Sequence, residues 1–164
     1  MIDWIMREMP RSNRVDLLEV LTVGAPFCGF KILSGLSLRG SGHLGVEIFG
    51  SLFICLGLMD ALINAVNFGG LLVKGRRPMA ACSIALAMRP RQNPSGTHRK
   101  WHELGNSLDV LLSFALVALM IGAGRLRAMP PDRLAAWNAC VILNVLGAGL
   151  GRFGDSLRNL SREE

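Results

Sequence analysis

VLLSFALVALMIGAG, residues 110–124, runs for a whole block of sequence without one charged side chain. The hydrocarbon core of a bilayer is about 30 Å thick, and a helix rising about 1.5 Å per residue needs about 20 apolar residues to cross it. Helices of a soluble domain alternate an apolar and a polar face, which breaks up runs of this kind. Working outward, apolar stretches at about 17–38, 44–73, 104–124 and 134–152 divide the chain. The fourth reaches spanning length if Gly151 to Gly154 belong to the helix. Hydrophobic residues make up 51% of the chain, a share that soluble proteins also reach, so it is the clustering that decides. The expected fold is all-α, a single domain over residues 1–164. It is an integral membrane bundle of four transmembrane helices with a short cytoplasmic interfacial helix.

Basic residues give the threading. Arg7, Arg11 and Arg14 precede the first stretch. Lys74, Arg76, Arg77, Arg89, Arg91, Arg99 and Lys100 fill the connection 74–103, and Arg152, Arg158 and Arg162 follow the last stretch. The other two connections hold Arg39, Arg125, Arg127 and Arg133. Thirteen against four places both termini and the central connection in the cytoplasm, by the bias of Lys and Arg toward that side of a plasma (inner) membrane. The net charge of +6 sits beside the expected membrane surface, where anionic lipid headgroups are the natural partner; no nucleic-acid partner is implied. The basic start of the first stretch resembles a signal peptide, but its apolar part is longer than an h-region and contains Lys31, so a retained helix is expected.

The connections differ in kind. Gly40 and Gly42 make residues 39–43 a tight turn between antiparallel neighbours. Pro130 and Pro131 start the fourth helix, where missing N–H groups do no harm. Residues 79–88 (MAACSIALAM) are too short to cross and are bracketed by Arg–Pro pairs. An interfacial helix is the expectation, and a re-entrant loop is the rarer alternative. Trp4 and Trp101 suit headgroup depth.

Charge inside a span costs about 2.5–3.5 kcal/mol at helix centre on insertion scales, so each such residue needs a reason. Asp60, Asn64 and Asn67 share one face of the second span. Asn106, Asp109 and Ser113 form a polar strip on the third, and Asn144 shares a face with Gly147, Gly151 and Gly154 on the fourth. With the deduced threading, these strips overlap in depth and are expected to converge in the cytoplasmic half. They act either as interhelical hydrogen-bonding groups or as a path for a proton, ion or polar solute. Lys31 lies within reach of Asp60 by depth, about 7 Å along the normal at 1.5 Å per residue. A Lys31–Asp60 ion pair competes with snorkelling of Lys31 toward Glu47.

Gly149-x-Gly151-x-x-Gly154 mimics a dinucleotide fingerprint but lacks the strand and βαβ unit that motif requires. Gly147-x-x-x-Gly151 is instead a small-residue pattern for close helix packing. His98, His102 and Glu103 are weak metal candidates, without HExxH order or a second ligand group. Cys28, Cys55, Cys82 and Cys140 form no CxxC pair. No cofactor and no catalytic constellation are expected. The leading expectation is a non-catalytic membrane subunit that associates with itself or with a larger membrane complex. The runner-up is a small oligomeric transporter or channel around Asp60 and Asp109. An intramembrane metalloenzyme at His98 and His102 is a third.

Overall fold

The computed structural model describes residues 11–88 and 97–163, with side chains at 13–88, 101, 103–151 and 153. It is helical throughout, with no strand among the described residues. The elements are α1 (Arg11–Glu19), a π-helical segment (Val20–Gly24), α2 (Ala25–Leu38), α3 (Leu44–Lys74), α4 (Ser83–Ala87), α5 (Thr97–Gly122) and α6 (Pro131–Glu163). Four stretches are long and apolar enough to cross a membrane: Asn13–Leu38, Leu44–Lys74, Glu103–Gly122 and Pro131–Gly151. Trp4 lies outside the described residues.

Pro26 accounts for the irregularity in the first of these. A proline has no N–H to give the carbonyl four residues back. Just before it the backbone is wound one residue wider, with the Ala25 N–H donating to the Val20 carbonyl. Such π-helical turns insert a residue without ending a helix. In this turn the Val23 carbonyl accepts from the Asn144 side chain at 3.1 Å.

Helix α2 is the central element and packs against α3, α5 and α6. Its closest approach is to α3. A Cβ on Gly35 would stand 2.5 Å from the Gly50 carbonyl oxygen, and one on Gly57 would stand 2.8 Å from Ile32. These glycines are what let the two backbones meet. Beyond them lies an apolar cluster of Phe30, Leu38, Phe53, Leu116, Met120, Met129 and Trp137. Trp137 donates from its indole N–H to Ser34 Oγ at 2.8 Å, tying α6 to α2. Arg125 Nε donates to the Ser37 carbonyl at 2.8 Å. A second, smaller cluster of Leu17, Val20 and Leu71 lies nearer the Lys74 end of α3.

The segment after α3 contains the short helix α4. Gly75 ends the helix with left-handed φ of 62°, its N–H bonding the Leu71 carbonyl. The chain then folds back along α3. Gly70 has no side chain to obstruct Pro78. Asn67 grips the returning backbone twice, donating to the Ala80 carbonyl and accepting from the Met79 N–H, each at 2.9 Å. Ser83 at the start of α4 donates its N–H to Asp60 Oδ1 at 2.6 Å. Asp60 stands near the middle of the helix Leu44–Lys74, about 21 Å from its end at 1.5 Å per residue. α4 starts beside that mid-helix carboxylate, alongside α3 rather than beyond its end. The physical reason is that a folded-back backbone exposes polar groups, and Asn67 and Asp60 are placed to satisfy them. Gly105 completes the seat, since its bare Cα allows Ala85 of α4 to lie against α5.

Candidate functional site

Lys31, Asp60 and Asp109 meet where α2, α3 and α5 converge. Lys31 Nζ donates to Asp60 Oδ2 and to Asp109 Oδ1, both at 2.5 Å. All three are buried, at 0%, 1% and 3% exposure. Lys31 does not snorkel toward Glu47, whose Oε1 accepts the Gly42 N–H in the turn after α2. The third face of the ammonium lies over the Phe27 ring, 4.4 Å from its centroid. An isolated buried charge costs several kcal/mol, and mutual attraction with additional hydrogen bonds is what offsets it. Asp60 is supported on both oxygens, by Lys31 and by the Ser83 N–H. Two carboxylates against one ammonium leave the group with a formal charge of −1.

Around this triad the sequence-predicted polar residues sort into three kinds. Asn64 lies beside it, donating to its own helix at the Asp60 carbonyl and to Cys28 Sγ at 3.4 Å. Asn106 accepts from the Cys82 thiol at 3.4 Å. Asn67 holds the folded-back segment and also lines the cavity described below, and Ser113 Oγ turns back onto the Asp109 carbonyl of its own helix at 2.8 Å. Asn144 bonds Val23 and does not line the cavity described below. The cavity described below is lined from the second and third spans and also from the first, through Val20, Val23, Phe27 and Cys28, while no residue of the fourth is among its lining.

The glycine stripe on the fourth span divides as well. Gly147 packs within the chain, where a Cβ would stand 2.9 Å from Thr22 Oγ1. Gly149 and Gly151 face nothing within 4 Å, so Gly147 and Gly151 do not form one internal packing face. Gly154 lies outside the described side chains. So do His98 and His102, while Glu103 lies on α5. Among the described residues no group of three or more His, Cys, Asp or Glu is placed to hold a metal ion.

A cavity of about 200 Å³ adjoins the triad. Asp60, Asp109, Asn64, Asn106, Cys28 and Cys82 form its polar wall, and Val20, Val23, Phe27 and Val110 contribute apolar surface. Glu19 and Arg77 also line it. Arg77 Nη2 donates to Glu19 Oε2 at 2.6 Å and to Asp16 Oδ1 at 3.1 Å, and the Glu19 side chain is 54% exposed. The cavity thus runs from a half-exposed ion pair to a buried one. The apolar cluster that includes Phe53 and Leu116 lies about two helical turns from Asp60 along α3 and from Asp109 along α5. Cys28, Phe27, Cys82 and Arg77 are absent from the sequence-derived set of site residues. Phe27 and Cys28 carry a signal, since they precede Lys31 by one helical turn. Cys82 and Arg77 carry none before the fold-back is known.

Comparison of the chain with protein-family models, with curated proteins and with solved structures finds no match to any of them.

Proposed function

We propose that the chain is an integral membrane bundle of four transmembrane helices that carries a proton or small charged solute through the Lys31–Asp60–Asp109 site. Both termini and the connection 74–103 lie on the cytoplasmic side in this reading, as the distribution of Lys and Arg implies. The observation that carries it is the cavity, which brings both intramembrane carboxylates to a space bordered at its other end by Glu19 and Arg77. Carboxylates that serve only to hold helices together have no need of such a space. A polar cavity with buried carboxylates, next to an apolar cluster along the same helices, is compatible with one state of an alternating-access carrier. Ionisable groups at membrane depth are the usual markers of such paths.

Reconstitution into liposomes enclosing a pH-sensitive dye tests this. Purified protein should carry H⁺, or exchange H⁺ for an imposed cation gradient, faster than protein-free vesicles. Asp60→Asn and Asp109→Asn should abolish that flux while keeping helical content. Wild-type flux equal to that of empty vesicles, across H⁺, Na⁺, K⁺ and small amines, would overturn the proposal.

A second reading, a non-catalytic subunit, is favoured by α6. Only 6% of its apolar stretch is buried within the chain, against 28–39% for the other three, and Gly149 and Gly151 front open space. Small residues on an open helix face suit association with a second copy or a partner membrane protein. Recovery of a lone monomer from gentle detergent would sink this reading.

A further inference from the structure

We infer that the cavity beside the triad takes a small organic ammonium ion, which sits next to Lys31 and shares the carboxylates of Asp60 and Asp109. This rests on the reading of the site as a solute path and specifies its ligand class. Charge is the first argument. The triad retains a formal charge of −1, so a monocation brings the buried group to neutrality, whereas an anion or a neutral solute does not. The second is chemical type. Lys31 is itself an alkylammonium, and the site already holds it by two carboxylates and the face of Phe27, 4.4 Å from the ring centroid. A ligand of the same chemistry needs the same two kinds of contact, carboxylate and ring face, and Asp60, Asp109 and Phe27 all line the cavity.

The third argument separates an organic cation from a bare metal ion. Hard cations take six or more oxygen ligands, and no three metal-binding side chains are grouped for that purpose among the described residues. The wall supplies Val20, Val23, Phe27 and Val110 instead, which suit a hydrocarbon body. Size follows from the volume: a cavity of about 150 Å³ accommodates benzene, so the 200 Å³ here fits a monoamine of similar bulk.

The probes are benzylammonium, its neutral analogue benzyl alcohol and its anionic counterpart benzoate, titrated calorimetrically into the detergent-solubilised full chain at neutral pH. One-to-one, saturable binding of benzylammonium, without saturable binding of the other two, is the expected result. Because this comparison uses wild-type protein alone, it does not depend on any variant folding. Asp109→Asn should weaken binding roughly tenfold or more by removing a charged acceptor, and Phe27→Leu should weaken it less while preserving the fold. No binding of benzylammonium, or binding indistinguishable from that of benzyl alcohol, overturns the inference. Flux of H⁺ or a metal ion in the vesicle assay without benzylammonium binding overturns the ligand class and leaves the carrier reading standing. Benzylammonium binding with no flux of any cation supports the ligand class and overturns the carrier reading.

Discussion

Removing Lys31 should harm this protein more than removing either of its partners, and the difference is calculable from the charges. Lys31→Met leaves Asp60 and Asp109 buried together with no cation between them, a group of −2 where there was −1. Breaking a buried pair by deleting one partner costs about 3–5 kcal/mol, and Lys31 serves two partners at once, so the upper end applies. Asp109→Asn instead leaves a neutral Lys31–Asp60 pair, with Asp60 still held by the Ser83 N–H. Its loss is that of one charged hydrogen bond, about 1.5–3 kcal/mol. The two variants should therefore differ by about 2–3.5 kcal/mol. Equilibrium unfolding in mixed micelles, followed by circular dichroism, measures this. Asp109→Asn as destabilising as Lys31→Met, or more so, would refute the reasoning. The double change Lys31→Met with Asp60→Leu sharpens it. If only those two residues were paired, the double variant would recover relative to Asp60→Leu. With Asp109 as a third member, the double variant strands a lone carboxylate and should accumulate less well; recovery requires Asp109→Asn in addition.

Other expectations follow from packing and burial. Gly35→Ala places a methyl against the Gly50 carbonyl and should cost about 1–3 kcal/mol as overpacking, whereas Gly149→Ala meets open space and should leave monomer stability unchanged; parallel thermal melts compare them. A Gly149→Ala chain whose oligomeric state changes in light scattering would favour the subunit reading. Burial pushes the Cys82 thiol up to about 11, and only the thiolate reacts readily. Maleimide labelling of Cys82 in folded protein should thus be slow at neutral pH and fast after denaturation, which mass spectrometry of peptides would show. Rapid labelling of Cys82 in the native state would mean that the folded-back segment opens.

The division of the chain into apolar helices is legible in sequence because uncharged runs such as 110–124 have few physical alternatives. The Lys31–Asp60 contact is legible as arithmetic of depth, since a lysine and an aspartate a few ångströms apart along the normal have strong reason to meet. Asp109 was visible as a buried carboxylate but not as a partner of the same lysine, because depth along a helix says nothing about which way two helices rotate. The fold-back was not legible. Residues 79–88 read as a surface helix by length and flanking arginines, and what draws them inward is Asn67, whose amide looks the same whether it binds a neighbouring helix or a returning backbone. Gly70 and Gly105 permit that return, yet a glycine in an apolar run signals nothing until its neighbour is known. The wider turn before Pro26 does have a sign in the sequence, the missing N–H of that proline.

The triad also has a history along the chain. Lys31 is synthesised first, and its partners follow 29 and 78 residues later. As successive helices are made, the charge held at this spot passes from +1 to zero when Asp60 arrives, and then to −1 with Asp109. A nascent chain that ends between α3 and α5 therefore holds a balanced pair, and the finished protein does not. The last acidic residue to arrive creates the imbalance, so completing the fold leaves the site one positive charge short.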